Sequence, residues 1–453
     1  MTTVTNPYLE GNYAPVHEEV TATSLAVTGA IPEELCGRYL RNGPNPATAP
    51  DQASYHWFTG SGMVHGIRLR DGRAEWYRNR WVRSAEVAQA LGEAPKAGPV
   101  HAGMDFAPNT NVIGQAGRTF AIVESGALPY ELTDELETIG PCDFDGTLAG
   151  GYTAHPKRDP QSGELYAVSY FFGWGDDVEV SILDADARVR SSRRVTMGGP
   201  VSLHDCAITE RALVLLDLPV TFSLDAVASG ASFPYRWQEG YRSRVGLLPR
   251  DSDSTEAVWH DVESCYVFHV MNAYDEPGGD GVVLDVVRHP SMFRTNLLGP
   301  SEGVPTLERW HLDGHGGAVK EERLDDRGQE FPRVDERVVG RPHRYGYSVA
   351  VAESDDFFET ESVLVCHDFE RGTSVERSFG RGAGVGEAVF VPRTDDAGEA
   401  DGWLLTLVYS PTTNTSALHI LNAADPAGQA QAVVELPERV PVGFHGNWVP
   451  DQS

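Results

Sequence analysis

Short apolar runs, many of them alternating with polar residues and broken by Gly, Pro, Asn or Asp, dominate the chain. VHGIRLRDGRAEWYRNRWV (64–82) alternates on both sides of Asp71-Gly72, a dipeptide suited to a two-residue hairpin turn. NVIGQAGRTFAIVE (111–124) repeats the pattern around Ala116-Gly117, and HDCAITERALVLLDLPVTF (204–222) turns near Glu210-Arg211. Strand-like segments continue through ELYAVSYFF (164–172), EVSILDADARVRSSRRVTM (179–197), GVVLDVVRH (281–289), TLERWHLDGHG (306–316), SVLVCHDFERGTSVERSF (362–379), WLLTLVYS (403–410) and SALHILNAAD (416–425). Helical periodicity is confined to SAEVAQALGEA (84–94) and SLDAVA (223–228). No βαβ alternation is present, and no Gly/Ser/Pro-rich linker divides the chain. The pattern therefore predicts one all-β domain over residues 1–453. Many hairpins over this length suit a propeller, although no repeat is clean enough to count blades.

Composition narrows the partners. The formal net charge of -30 disfavours nucleic acid and anionic lipid as electrostatic partners. Only Lys96, Lys157 and Lys320 are available for amine chemistry. The five cysteines, Cys36, Cys142, Cys206, Cys265 and Cys366, are scattered and odd in number, which predicts reduced thiols and a cytoplasmic location. The opening MTTVTNPYLEGNYAPV has no basic segment followed by an apolar run, so no secretory signal is expected.

Four of the fifteen histidines keep unusual company. His155 in GGYTAHPKRDP, His204 in VSLHDCAI, His269 in CYVFHVMNAYDE and His445 in VGFHGNWVP each sit at a strand-like apolar segment. The last is close to the end of the chain, where tails are commonly polar and frayed. No two of them stand at helical metal-ligand spacing, so only a fold that gathers distant segments could unite them. Neutral imidazoles would suit iron, zinc, copper or nickel. His204-Asp205 could also suggest a phosphohydrolase pair, but that arrangement needs helices and this segment reads as a strand.

Nine short motifs in order resemble the carotenoid cleavage oxygenases. They are LCGRYLRNGPNP (35–46), HWFTGSGMVHG (56–66), NTNV (109–112), YTAHPK (152–157), LHD (203–205), FHVMNAYDE (268–276), EFPRVD (330–335), GEAVFVPR (386–393) and FHG (444–446). Thr59 and Ser61 stand where the family often has Asp, a loop difference. The resemblance implies a seven-bladed β-propeller with a loop and helix dome over an axial iron site. It implies Fe(2+) held by His155, His204, His269 and His445, with Glu124, Glu330 and Glu387 supporting His204, His269 and His445. Such carboxylates would fix the rings and offset the ion's charge. Thr110 matches a position whose methyl crowds one open coordination site.

The implied activity is cleavage of a C=C bond by O2 to give two carbonyl products, without organic cofactor or reductant. Val123 stands where stilbene-cleaving members carry a lysine that reads a phenol, which favours a carotenoid or apocarotenoid over a stilbenoid or phenylpropanoid alkene. Strand alternation alone would turn Val123 away if Glu124 faces a ligand, so its place at the substrate cavity rests on the resemblance. The aromatics Tyr170, Phe171, Phe172 and Trp174 could line a tunnel, make weak peripheral membrane contact, or pack in the core. A non-catalytic binding propeller and a Ca²⁺-dependent propeller hydrolase are the other classes. The first would tolerate loss of ligands that are all present, and the second needs oxygen ligands where this chain has imidazoles.

Overall fold

A computed structural model describes residues 6–106, 108–250, 252–300, 302–351 and 362–451. Among these, seven sheets of four or more strands follow one another along the chain, antiparallel except where Gly317–Ala318 adds in parallel to Val258–Asp261, with one extra two-stranded hairpin. They are the seven blades of a β-propeller. In chain order the blades draw on segments 37–81, 111–141, 157–196, 207–261, 266–325, 329–378 and 384–435. The hairpin turns fall where the alternation placed them. Asp71 and Gly72 have φ of 48° and 70°, and Ala116 and Gly117 have 52° and 71°, the left-handed pair that a tight hairpin turn requires.

Both ends of the chain close the ring. Gly446–Pro450 pairs with Gly37–Pro44 and completes the first blade from its inner side. Val27–Gly29 pairs with Ala432–Glu435 on the far edge of the seventh blade. Apolar faces seal the same seam: Tyr39 and Ile67 of the first blade share a core cluster with Leu405 and Leu418 of the seventh. Elsewhere the core likewise lies between blades: Phe120 shares a cluster with Leu165 and Ala167, and one larger cluster runs through Val168, Leu215 and Leu284 of three successive blades. This closure explains the apolar tail, which is an inner strand.

The inner strands surround the axis and carry the interesting residues at or near their ends. Above one end of the axis lie loops, four 3₁₀ turns (Pro7–Leu9, Gly11–Tyr13, Trp57–Thr59, Phe172–Trp174) and the hairpin of Val220–Phe222 with Tyr235–Trp237. The two expected helices are short, Ala85–Leu91 and Leu224–Ala228, each with a serine N-cap, Ser84 and Ser223. The dome is thus mostly loop, with little helix.

Candidate metal centre

Four imidazoles from four blades meet on the axis. One ring nitrogen from each of His155, His204, His269 and His445 lies within 4.8 Å of all the others, and all four residues are buried. The closest approaches are Nε2 to Nε2: 3.0 Å between His155 and His204, and 3.1 Å between His269 and His445.

Local backbone irregularity aims these rings. His155 and His204 stand in the approach segments just before the short inner strands Lys157–Arg158 and Ala207–Ile208, so His204 precedes the strand that the sequence pattern assigned it to. His269 lies within Tyr266–Asp275, at a bulge where pairing skips from Val267 to Val270. Such a bulge turns a side chain out of the regular pleat. Glu330 sits beside a second bulge, where pairing jumps from Glu330 to Arg333 and Phe331 takes φ 54°. His445 is held by the closing strand: its N–H donates to Thr110 O at 3.1 Å, and its carbonyl accepts from Asn42 N at 2.9 Å.

Carboxylates stand behind three rings. Glu330 Oε2 is 2.5 Å from His269 Nδ1, and Glu387 Oε2 is 3.1 Å from His445 Nδ1. Glu124 Oε2 is 2.9 Å from His204 Nδ1, close but not aligned as a hydrogen bond. No carboxylate is hydrogen-bonded to His155 among the described residues. A proton on Nδ1 directs the lone pair of each ring's Nε2 inward. Protons could bridge four such nitrogens only in pairs, whereas one cation meets all of them. The donor set therefore fits a metal ion of nitrogen preference.

The surrounding charges follow the same order. Burial pushes the Glu387 carboxyl up, but Arg333, His445 and the Gly446 N–H outweigh it and hold it at about 2. Burial likewise opposes ionisation of Glu330, yet His269 and His289 hold it well below the usual carboxylate range. Burial, helped by the three neighbouring imidazoles, pushes His155 far down. His445 is brought to about 4 by burial, with Glu387 pulling the other way. For His269 the burial penalty is overcome by Glu330, and the net direction is up.

A cavity of about 950 Å³ runs from the dome to this cluster and is lined by His204, His269 and His445. Thr110, Val123 and Glu124 also line it. Thr110 Oγ1 donates to Asn109 Oδ1 at 3.0 Å, which leaves the methyl as its free end. Val123 and Glu124 both reach the cavity because the strand Arg118–Ile122 has ended, and Ser125 and Gly126 take φ of 68° and 103°. Alternation no longer governs that stretch. Of the four aromatics singled out, Tyr170 and Phe172 line the cavity, while Phe171 and Trp174 pack around His101.

Sequence reasoning missed three contributors. His289 Nε2 is 2.7 Å from Glu330 Oε1. Phe331 stacks on His269 with ring centroids 5.3 Å apart. Arg333 Nη1 lies 3.1 Å from Glu387 Oε1. Phe331 and Arg333 belong to EFPRVD, a motif already singled out; His289, at the end of GVVLDVVRH, carried no local signal.

The fold and site define a propeller with an axial histidine metal centre at the end of a buried cavity. The retinal pigment epithelial membrane protein (RPE65) family model matches residues 13–450. A carotenoid cleavage oxygenase of Mycobacterium tuberculosis is 44% identical over 98% of this chain and 98% of its own. Two solved structures are similar throughout. The lignostilbene dioxygenase of Pseudomonas brassicacearum has a TM-score of 0.88 at 26% identity, covering 98% of this chain and 99% of that one. The apocarotenoid oxygenase of Synechocystis, solved in a cobalt-substituted form, has 0.85 at 27%, covering 97% and 98%. The chain belongs to the carotenoid oxygenase (RPE65) family and is an oxygenase.

Proposed function

We propose that the protein is an Fe(2+)-dependent dioxygenase that cleaves one C=C bond of a carotenoid or apocarotenoid with O2, giving two carbonyl products. The observation that carries this reading is the convergence of four buried imidazoles on the end of a long, largely apolar cavity. His155, His204, His269 and His445 would hold the ion. Glu124, Glu330 and Glu387 would hold the rings and offset its charge. Ferrous iron bound there would supply the redox chemistry that lets O2 react with an alkene. In sum, one alkene and one O2 give two carbonyl compounds, each carrying one of the two oxygen atoms, with no electrons or protons left over. The chain's own residues bind the alkene, exclude water and fix its orientation. Thr110 would narrow the space beside the imidazoles on one side. The ring closure by residues 37–44 and 446–450 supports reading 1–453 as one functional domain.

Access supports an apolar substrate as well. Phe172, 42% exposed, stacks on Phe222 at the cavity wall, and Val227 on the short dome helix is 48% exposed. Weak peripheral contact with a membrane surface, from the cytoplasmic side, is part of the proposal. No described helix is long and apolar enough to cross a membrane.

A second reading, cleavage of a hydroxylated stilbenoid or phenylpropanoid alkene, has one observation in its favour. Ser125 Oγ and Tyr235 OH are 3.1 Å apart in the cavity wall beside Val123, and such a pair retains capacity for a substrate hydroxyl. The test is metal analysis of the purified protein, then mass spectrometry of products under ¹⁸O2 from matched polyenes and stilbenes. Iron near one per chain, with label in both carbonyl products of a polyene, is expected. Full turnover without iron would refute the proposal, and turnover of stilbenes alone would transfer it to the second reading.

A further inference from the structure

Arg41 is a buried guanidinium set into the cavity wall next to the metal centre. It stands on Gly37–Pro44, paired with Gly446, the neighbour of His445. Only 8% of the residue is exposed, and it lines the same cavity as the imidazoles. Nη1 donates to Pro441 O at 2.7 Å. Among the described residues no carboxylate lies within 4.0 Å of the guanidinium.

Other buried arginines of this protein are treated differently. Arg38 meets Asp134, Arg68 meets Asp451, and Arg250 meets Asp159. Arg439 also lacks a close carboxylate, but it is directed at the carbonyls of Asn12 and Pro15 and does not line the cavity. An unpaired buried charge is expensive, so its position needs a partner from outside the chain or a reason within it. Burial brings the guanidinium down to about 10, against weaker support from Tyr39 and Glu387.

The site is shaped around the guanidinium. A Cβ at Gly443 would come within 2.7 Å of Arg41 Cζ, and one at Gly43 within 3.1 Å of Nη1. Two glycines thus leave room for the planar fork. Tyr39, Leu407, Ser416 and Val440 line the same cavity, and Glu387, which also lines it, acts on Arg41 only from beyond ion-pair distance. A guanidinium matches a carboxylate with two parallel hydrogen bonds and a carbonyl with one.

We infer that Arg41 binds the oxygenated end of the substrate, a carboxylate most strongly and a carbonyl less so. The inference rests on the polyene reading above and narrows it to polyenes that carry a polar head. Because Arg41 is fixed on the strand that pairs with the His445 tail, a head bound there sets how far along the polyene the cleaved bond lies. Arg41 is then a specificity residue for both substrate and bond position.

The experiment uses iron-loaded, full-length protein. Three polyenes of equal length, ending in a carboxylate, an aldehyde or a methyl group, are titrated under nitrogen, following quenching of tryptophan emission; Trp57 lines the cavity. The carboxylate should bind ~10–100-fold tighter than the methyl compound. Arg41→Gln should remove that advantage while leaving the methyl compound's affinity unchanged, and Arg41→Lys should restore part of it. Admitting O2 should give one product pair from the acid and a mixture of cleavage positions in Arg41→Gln. If wild type binds all three alike, or Arg41→Gln weakens all three equally, Arg41 only holds the tail through Pro441 and the inference fails. If head-dependent binding is seen without cleavage, the inference stands and the proposed activity falls.

Discussion

His289 Nε2 lies 2.7 Å from Glu330 Oε1, the oxygen that His269 leaves free. Glu330 is therefore gripped from both sides, and Phe331 N donates to its Oε2 at 2.5 Å. A carboxylate held this firmly has little freedom to rotate away from His269. Replacing His289 with Phe keeps the bulk and removes the hydrogen bond. Metal affinity should fall by ~10-fold or less, toward the low end of the range for groups behind a ligand. Competition with a chelator measures it, and unchanged retention would make His289 a packing residue.

Glu387 connects three structural elements. It faces His445 Nδ1 at 3.1 Å, accepts from Gly446 N at 2.5 Å and meets Arg333 Nη1 at 3.1 Å. Glu387→Gln preserves shape but removes the charge, and leaves Glu336 as the one carboxylate against Arg333 among the described residues. Metal affinity or turnover should drop ~10–100-fold. Glu330→Gln should behave likewise. Glu124→Gln should cost less, because Glu124 is close to His204 without being aligned to it. Equal losses for all three variants in chelator competition and steady-state turnover would refute this ranking.

The strands were legible because short apolar or alternating runs stand between turns that carry left-handed residues such as Asp71-Gly72. The inner strand Lys157–Arg158 was not: it is two residues long, too short for any period to register, whereas Ala207–Ile208 was caught only through its hairpin with Ala212–Asp217. Ring closure could not be read locally either, since Gly37 pairs with Pro450 across almost the whole chain. The four histidines stood out only by neighbourhood and by family motif. Their union depends on bulges at His269 and Glu330, which pairing registers reveal and sequence period does not. Arg41 was within a recognised motif, yet the absence of a carboxylate partner for it among the described residues is a property of the folded neighbourhood alone.

Several histidines away from the axis give stability a pH dependence. Burial brings His343, His367 and His419 each to about 4 from an ordinary 6.5. Asp285 pulls His343 up and Arg309 pushes it down; Asp325 and Arg327 do the same for His367, and Arg377 lowers His419. Between pH 4 and 6.5 the unfolded chain binds more protons at these rings than the native one. Their neutral burial is thus without penalty above pH 6.5, and stability falls as pH drops toward 4, by at most roughly 3 kcal/mol per ring. Urea melts across that window should show His343→Gln with a shallower pH slope than wild type. Parallel slopes would mean that His343 titrates normally.

Val123 is where the proposed substrate choice can be tested. It lines the cavity directly before Glu124, and its isopropyl group offers no hydrogen bond. Beside it, Ser125 Oγ and Tyr235 OH are 3.1 Å apart, so these hydroxyls bond each other and keep only their remaining donor and lone pairs for a substrate. A site that must hydrogen-bond a substrate hydroxyl rejects the analogue lacking it, whereas an apolar wall discriminates little. Wild type should therefore favour a long polyene and show less than ~10-fold difference in kcat/KM between 4-hydroxystilbene and stilbene. Val123→Lys should raise the phenol's relative kcat/KM, with Glu124 near enough to steady the ammonium. Tyr235→Phe and Ser125→Ala separate the two substrate classes. If the wall binds only polyene, they leave polyene turnover within a few-fold and change no hydroxyl preference. If wild type cleaves hydroxystilbenes rapidly, ignores every polyene, and loses that activity in Tyr235→Phe, the hydroxyl pair is the substrate reader and the polyene assignment gives way.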